Sequence, residues 1–452
     1  MQTKQRLSLK IGFAIISAFL MCGNVYAQKA KGEAEERDNT KTKQAEAVSK
    51  EVYETITKAQ EAVEAEDYDT AMRILERLYN PDKLTEYEQA NVLNYIGFVH
   101  YNKGNIPAAL QTYERMIAIP SLEPQLKKTT TYTLAQLNMM EENYQRALEL
   151  VQDWFTQETN PQPESYILLA QIYYQLQRYG DMVPTVETAI RVAEEKQKEV
   201  KEDWYVLLNF AYFQQENYAK FRDIQKILLE NWPKKRYWFS LAGAYTELGE
   251  DDNLIAAYDA AYTQGMLEKE SEFVTMAQLY LQREVPYKAA VLLEEYMDSG
   301  VVTETARNYR LLSQAWMLSQ EDRKAIPALQ KAAALSDDGE LDVRLGNTYL
   351  NLAEYAECAK SVRAALRKGG LKNPDNAQIS LGMCLYNLRE YSDSIAAFRE
   401  AAKTQKSRRI ANQWIRVIEA DIERNRQIRL AEQAARKKRE EVQARQASQN
   451  RI

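Results

Sequence analysis

Two distant stretches, YNKGNIPAALQTYERMIA (Tyr101–Ala118) and YNLREYSDSIAAFREAA (Tyr386–Ala402), follow the same pattern. In each, an aromatic residue and a short polar break precede a small residue, which opens a segment of helical period. A second aromatic residue follows the small one by four positions, at Tyr113 and at Phe398. The recurrence of one pattern so far along the chain indicates a protein built from repeats.

The pattern recurs ten times, at intervals of 33 to 39 residues. Its anchor position is filled by Ala71, Ala109, Ala147, Met182, Phe221, Leu254, Ala289, Ala325, Cys358 and Ser394. Twelve residues earlier a small or short residue recurs, as at Gly97, Ala135 and Gly382. Small residues let two helices approach closely while large ones fill the gaps beside them, so the pattern predicts antiparallel helix pairs. Because one pair cannot bury its apolar face alone, the pairs are expected to stack.

The composition agrees with an all-α fold. The 452 residues include only 15 Gly and 11 Pro, and good helix formers are abundant. The net charge of −6 argues against a nucleic-acid-binding protein, which normally carries a basic face. The 29 tyrosines are unusually many, and the fold should explain them.

The spaced small and large positions between Val52 and Lys403 resemble the tetratricopeptide repeat family. WFSLAGAYTELGEDDNLIAAYDAA (Trp238–Ala261) is among the better copies. The resemblance implies an all-α superhelical solenoid of about ten helix-turn-helix units over residues 51–403. Residues 404–452 are then expected to form a C-terminal capping helix and a basic charged tail. The fourth and fifth copies depart from the family pattern at Met182 and Phe221, so looser packing is expected there.

The first 27 residues are predicted to be a signal peptide. A positive segment precedes an apolar run from Ile11 to Met21, which is too short to span a bilayer, and Ala27 ends a small-x-small cleavage site. A retained anchor and lipidation at Cys22 are the alternatives. Residues 28–50 are predicted to be a disordered charged tether. No second hydrophobic segment follows, so no transmembrane span is expected in the mature chain.

Two cysteines, Cys358 and Cys384, remain after cleavage. In an oxidising compartment two thiols can pair. Both positions fall on faces that the repeat pattern buries, so they can equally be two separate small apolar side chains. Separate side chains are the expectation here.

Few residues in the chain suit catalysis. The single histidine, His100, takes a large inward position of the repeat, where a packed side chain is expected. There is no Cys-x-x-Cys or His-x-x-x-His spacing for a metal, no Gly-rich phosphate loop and no Gly-x-Ser-x-Gly. The sequence therefore predicts no enzyme, no cofactor and no metal site.

The family resemblance implies a partner-binding groove lined by the first helix of each repeat. Carried onto this sequence, its positions are Asn94, Phe98, Tyr101, Tyr132, Gln136, Met139, Gln171, Tyr174, Phe210, Phe213, Gln278, Arg310, Gln314, Asn347 and Tyr386. Amides can hydrogen-bond an extended peptide, and aromatic and thioether groups can grip its side chains. The alternative is that the phenylalanines simply pack between repeats. Arg310 is the one cation in the set, which disfavours acidic peptide tails.

The export signal, the repeats and the Arg/Lys/Glu-rich C-terminal helix together resemble exported tetratricopeptide proteins that accompany TonB–ExbB–ExbD systems of gammaproteobacteria. The resemblance implies a periplasmic, non-catalytic protein–protein interaction scaffold, with TonB or ExbD as partner. The alternative is a scaffold for envelope assembly, serving cell-wall synthesis, outer-membrane proteins or cytochrome maturation. The basic tail is either a solvated helix or a weak contact to acidic lipid headgroups or a partner.

Overall fold

The computed structural model describes residues 48–449, and their side chains as far as residue 444. Within that range there are 21 α-helices and no strand, which confirms the predicted all-α fold class. The chain divides after Gly249 into two compact units. The helices of unit 1 are α1 (Lys50–Glu64), α2 (Tyr68–Leu78), α3 (Glu86–Asn102), α4 (Ile106–Ile117), α5 (Pro124–Met140), α6 (Tyr144–Gln157), α7 (Pro163–Gln175), α8 (Tyr179–Glu195), α9 (Glu202–Gln214), α10 (Tyr218–Asn231) and α11 (Lys235–Leu248).

Unit 2 continues the alternation. Its helices are α12 (Asp251–Thr263), α13 (Glu270–Gln282), α14 (Pro286–Asp298), α15 (Ala306–Leu318), α16 (Asp322–Ala334), α17 (Glu340–Asn351), α18 (Tyr355–Lys368), α19 (Pro374–Asn387), α20 (Tyr391–Ala402) and α21 (Arg408–Gln449). Within each unit every helix packs on the next one along the chain. Odd-numbered helices from α1 to α19 are called first helices and even-numbered ones second helices. The unit boundary separates α11 from α12, the two helices of the sixth predicted repeat.

A tight turn joins the helices of each pair. Outside the sixth pair it has three residues, and the middle one has positive φ, as at Glu66 (φ 58°) and Gly104 (φ 73°). The left-handed residue ends the first helix, and the next N–H, that of Asp67 in the first pair, bonds back to the Ala62 carbonyl at 2.8 Å. The Asp67 side chain then accepts from Thr70 N–H and caps α2. The chain thus passes directly from one helix cap to the next.

The predicted pairing of small with large residues holds inside the helix pairs. A Cβ placed on Gly97 would lie 2.7 Å from the Tyr113 ring, and one on Gly382 would lie 2.7 Å from the Phe398 ring. Tyr113 is 1% exposed and Phe398 is fully buried. The ring of the second helix therefore occupies the space that the missing side chain of the first helix leaves.

Tyrosines also link successive pairs. In four first helices, the tyrosine three residues after the recurring small position hydrogen-bonds a polar side chain on the preceding second helix. Tyr212 donates to Glu187 at 2.5 Å, and Gln330 donates to Tyr349 at 3.0 Å. The other two pairs are Tyr173 with Gln152 and Tyr280 with Asp259. Because the phenol buries its ring between helices and satisfies its hydroxyl at their edge, this position accounts for part of the tyrosine excess.

Carboxylates form a second link between successive pairs. A carboxylate in the first turn of a first helix accepts hydrogen bonds from the loop that enters the next pair, about one repeat further on. Glu86 accepts from Ser121 N–H at 2.9 Å, and Glu270 accepts from the Thr303 hydroxyl at 2.7 Å. The same arrangement recurs at Glu202 and Glu340, and Asp375 accepts a hydrogen bond from Ser407 in the loop before α21. These hydrogen bonds are the leading cause that lowers the pKa of Glu86, Glu270 and Asp375.

The Glu88 carboxylate is expected to make the stability of the N-terminal repeats sensitive to acid. Burial raises its pKa, but hydrogen bonds from Ser49 and Thr85 more than offset this and lower it to about 2. A depressed pKa contributes stability that is complete above the unfolded value near 4.5 and is lost as the pH falls towards 2. Urea midpoints measured from pH 6 to pH 2.5 should fall less steeply for Glu88→Gln than for the unmodified protein. Parallel curves would contradict this prediction.

The two cysteines are paired, contrary to the expectation from sequence. Cys358 on α18 and Cys384 on α19 form a disulfide, with Cα atoms 6.0 Å apart and both residues fully buried. The expectation of two separate side chains was wrong because the second helix of one repeat packs directly on the first helix of the next. That packing brings two positions 26 residues apart face to face.

The last helix, α21, packs on α20 through its first half only. Ala411 and Ile418 are fully buried there, and the Trp414 ring stacks on Phe398 with ring centres 5.7 Å apart. From residue 426 to residue 444 every side chain is exposed. The predicted signal peptide and most of the predicted tether lie outside the described residues. Across residues 48–449, no helix combines the length and apolar character that a membrane span requires.

Candidate functional site

All fifteen predicted groove residues lie on first helices. They fall on α3, α5, α7, α9, α13, α15, α17 and α19. The two units present them differently. In unit 1 they are mostly half-buried, whereas in unit 2 four of the five are exposed.

In unit 1 most of the aromatic residues of the set pack against other rings. Tyr174 on α7 meets Phe210 on α9, with ring centres 5.1 Å apart, and so links two successive first helices. Tyr132 packs on Trp154 at 4.7 Å. Phe213 is 48% exposed but packs on Phe221 of its own pair, with ring centres 5.5 Å apart. The Tyr174–Phe210 contact joins two repeats, whereas Tyr132 and Phe213 pack within their own pairs, so these rings serve packing at least in part.

The remaining residues of the unit 1 set are buried or half-buried. Met139 is 5% exposed. Asn94, Phe98, Gln136 and Gln171 are half-buried, and Tyr101 packs against the core of unit 1. Gln136 and Gln171 occupy the same register on successive first helices, so a short run of amides crosses α5 and α7.

Unit 2 carries a clearer arrangement. Gln278 on α13, Gln314 on α15 and Asn347 on α17 occupy one register, each one residue after the recurring small position. All three side chains are exposed. We call these three residues the amide row. Each amide can both donate and accept a hydrogen bond, which is what an extended peptide backbone requires.

Two arginines beside the amide row were missed from sequence. Arg307 lies three residues before Arg310 on α15, and Arg344 lies three residues before Asn347 on α17. Residues three apart share a helix face, and all three arginines are exposed. Arg310 is the one cation in the predicted set, and the structure adds Arg307 and Arg344 beside it. The sequence signal that could have identified Arg307 and Arg344 is their helical spacing from Gln314 and Asn347, which places them on the same face.

Tyr386, the last residue of the set, is in contact with α21. Its hydroxyl donates to Asp421 at 2.6 Å, and its ring lies 5.5 Å from that of Trp414. The hydrogen bond to Asp421 is the main cause that raises the pKa of Tyr386. A ligand reaching this position would meet the capping helix as well as α19.

The titratable groups near these surfaces favour neutral forms. Burial lowers the pKa of His100, and burial raises the pKa of Tyr101 and of Tyr132. Within the described part of the chain, no three His, Cys, Asp or Glu residues come close enough to hold a metal ion. What the arrangement offers chemically is hydrogen bonding, positive charge and apolar contact.

Two segments match family models of the tetratricopeptide repeat. Residues 163–196 match one such model, which covers α7 and α8, and residues 343–408 match another, which runs from α17 into the start of α21. Each unit thus contains one segment that is similar to the tetratricopeptide repeat. Proteins built from these repeats generally act as scaffolds for protein–protein interaction, because the stacked repeats present extended binding surfaces. The comparison with curated proteins found no match.

Several solved structures are similar to parts of the chain. A tetratricopeptide repeat protein from Parabacteroides merdae has 16% identity over 57% of this chain and 98% of its own, with a TM-score of 0.33. The TPR2AB domain of yeast Sti1, solved in a pHSP90 complex, has 16% identity over 58% of this chain and 98% of its own, with a TM-score of 0.34. YrrB, described as having an unusual peptide-binding site, has 17% identity over 42% and 95%, with a TM-score of 0.34.

Proposed function

We propose that this protein is an exported, non-catalytic scaffold that binds an extended peptide segment of a partner protein across the first helices of unit 2. The amide row carries the proposal. Gln278, Gln314 and Asn347 repeat one chemistry at one register on three successive first helices, and all three are exposed. Exposed amides at a constant register are suited to a repeating backbone rather than to one particular side chain.

The residues around the row define which peptides would fit. Arg310 and Arg344 add positive charge on α15 and α17, and both side chains are exposed. Half-buried Met317 and Leu350, each four residues after the small position, add apolar contact. The surface is therefore suited to an extended segment with few bulky charges, in which occasional carboxylates can meet an arginine.

The disulfide supports export. Structural disulfides persist in oxidising compartments and are rare in the cytosol. Cys358 and Cys384 form one, and it agrees with the predicted cleavage near Ala27. A location in the periplasm is therefore part of the proposal, and the disulfide and the predicted cleavage site support it.

Within the periplasm, we propose a role as an accessory to TonB-dependent energy transduction and uptake, with TonB or ExbD as partner. The predicted signal, the repeats and the Arg/Lys/Glu-rich C-terminal helix support this assignment through their resemblance to exported proteins of such systems. The proline-rich stretch typical of TonB proteins is already extended, so less ordering would oppose its binding along the amide row.

Removing the amide row should weaken partner binding at least about tenfold without changing the fold, since each lost hydrogen bond contributes about 0.5 to 1.5 kcal/mol. The variant is Gln278→Ala with Gln314→Ala and Asn347→Ala, and its affinity for the periplasmic segment of TonB would be measured by calorimetry. Gln111→Ala with Gln145→Ala, two exposed amides on second helices of unit 1, is the matched control. Equal affinities for the row variant and the control would contradict the assignment of this surface.

The identity of the partner is tested in the cell. A photocrosslinking residue placed at Gln314 should capture a partner in the native envelope, whereas one placed at Gln111 should not. Adducts with TonB or ExbD would support the energy-transduction role. Adducts confined to cell-wall or outer-membrane assembly proteins would replace that role with the envelope-assembly alternative and would leave the scaffold proposal in place.

A further inference from the structure

The exposed half of α21 has a charge pattern that packing does not explain. Between residues 424 and 444 there are seven basic side chains and three glutamates. The buried face of the helix, which includes Ala411 and Ile418, does not continue into this segment. At 1.5 Å per residue, the segment is about 30 Å long. We call residues 424–444 the basic segment.

Pairs within the helix stabilise the basic segment without neutralising it. Arg424 lies 2.7 Å from Asp421, and Arg436 lies 3.0 Å from Glu440, at spacings of three and four residues that support a helix in water. Among the described residues, Arg429, Lys437, Lys438 and Arg439 form no ion pair. Some of the charged side chains therefore stabilise the helix through ion pairs, and the others are exposed to solvent.

The positive charge points in every direction around the helix axis. Arg436, Lys437, Lys438 and Arg439 are consecutive, and consecutive residues are about 100° apart around an α-helix. All four are exposed. Such a ring of charge is suited to a diffuse negative surface, because no single orientation of the helix is required for attraction.

A protein partner is less well matched to this segment. Protein interfaces rely on buried aromatic or aliphatic anchors at their centre. The basic segment contains no aromatic residue, and its exposed apolar side chains are Ile428, Leu430 and Val442. Leu430 is about 200° from Ile428 on the helix, and Val442, which shares the side of Ile428, is about 21 Å further along, so the three form no compact apolar anchor.

We propose that the basic segment of α21 binds the anionic headgroups of a phospholipid bilayer. Clusters of four to eight Lys or Arg residues on a helix are sufficient for attraction to acidic lipids, and that attraction is screened by salt. The helix lies on the headgroups and does not enter the hydrocarbon layer, because only two large apolar side chains, Ile428 and Val442, share one side of it. The repeats are thereby held next to a membrane.

Vesicle flotation with the mature chain tests the proposal. Binding to vesicles of phosphatidylglycerol and phosphatidylethanolamine should exceed binding to phosphatidylcholine vesicles at least about tenfold at low salt, and should be lost near 0.5 M NaCl. Arg436→Gln, Lys437→Gln, Lys438→Gln and Arg439→Gln together should abolish the difference. Arg436→Lys with Arg439→Lys keeps the charge and should retain binding. Circular dichroism checks that both variants remain helical.

The control neutralises four exposed lysines of the repeats and should leave vesicle binding unchanged. These are Lys127, Lys201, Lys220 and Lys226. Equal losses in the control and in the tail variant would overturn the proposal, as would equal binding to both kinds of vesicle. Binding to a DNA duplex without binding to anionic vesicles would overturn it too. The amide-row variant should bind vesicles normally, so this proposal and the scaffold proposal fail separately.

Discussion

Phe398→Ala is expected to lower the free energy of unfolding of unit 2 by about 3 to 5 kcal/mol. The side chain is fully buried, touches the position of Gly382 and stacks on Trp414. Its loss opens a cavity at the point where the last helix pair meets α21. The buried half of α21 should therefore detach at a lower urea concentration than the repeats unfold.

Urea titrations followed by tryptophan fluorescence and by circular dichroism would measure both events. In the unmodified protein the two signals should change together, whereas in Phe398→Ala the part of the fluorescence that comes from Trp414, one of six tryptophans, should change first. Phe213→Ala is the matched control, because that ring is 48% exposed and should contribute less. A loss below about 1 kcal/mol for Phe398→Ala, or coincident transitions, would show that Phe398 does not anchor the cap.

Removal of the disulfide is expected to lower the stability of unit 2 by about 3.5 kcal/mol, the value expected for a loop of this length. Cys358 and Cys384 close a loop of 26 residues between α18 and α19. The appropriate variant replaces both with alanine, because both sites are fully buried and would not tolerate an unpaired polar group. Thermal unfolding of the two proteins, with and without reductant, gives the measurement.

Reductant provides an internal control for this prediction. Dithiothreitol should lower the midpoint of the unmodified protein close to that of the Cys358→Ala, Cys384→Ala variant and should leave the variant unchanged. Thiol titration of the native, unreduced protein should find neither cysteine free once the signal peptide has been removed. Two free thiols in the mature, exported protein would contradict the disulfide and would weaken the argument for the periplasm.

The helices and their order were predictable from the sequence. The recurring small position and the large residue sixteen places later specify how the two helices of one pair fit, as Gly97 with Tyr113 shows. Both residues belong to one short stretch, so local pattern is sufficient to predict the contact. The two segments that match repeat family models extend the same conclusion to α7 and α8 and to the end of the array.

The candidate site was predictable only in part. The register of the amide row follows from the repeat pattern, but the exposure of Gln278, Gln314 and Asn347 does not. The same register is half-buried at Gln136 and at Gln171 in unit 1. The exposure of one position depends on the side chains of the neighbouring repeats. The residue pattern of a single repeat carries no information about those side chains.

The local pattern of the sequence is enough to predict an all-α chain of paired helices, because apolar periodicity and small-residue spacing act within about forty residues. The tertiary structure decided which residues meet between pairs: Cys358 with Cys384, Glu270 with Thr303, and Tyr386 with Asp421. These partners are 26 to 35 residues apart. Each contact depends on the angle and offset at which one pair stacks on the next, and a shift of a single helical turn would replace every partner.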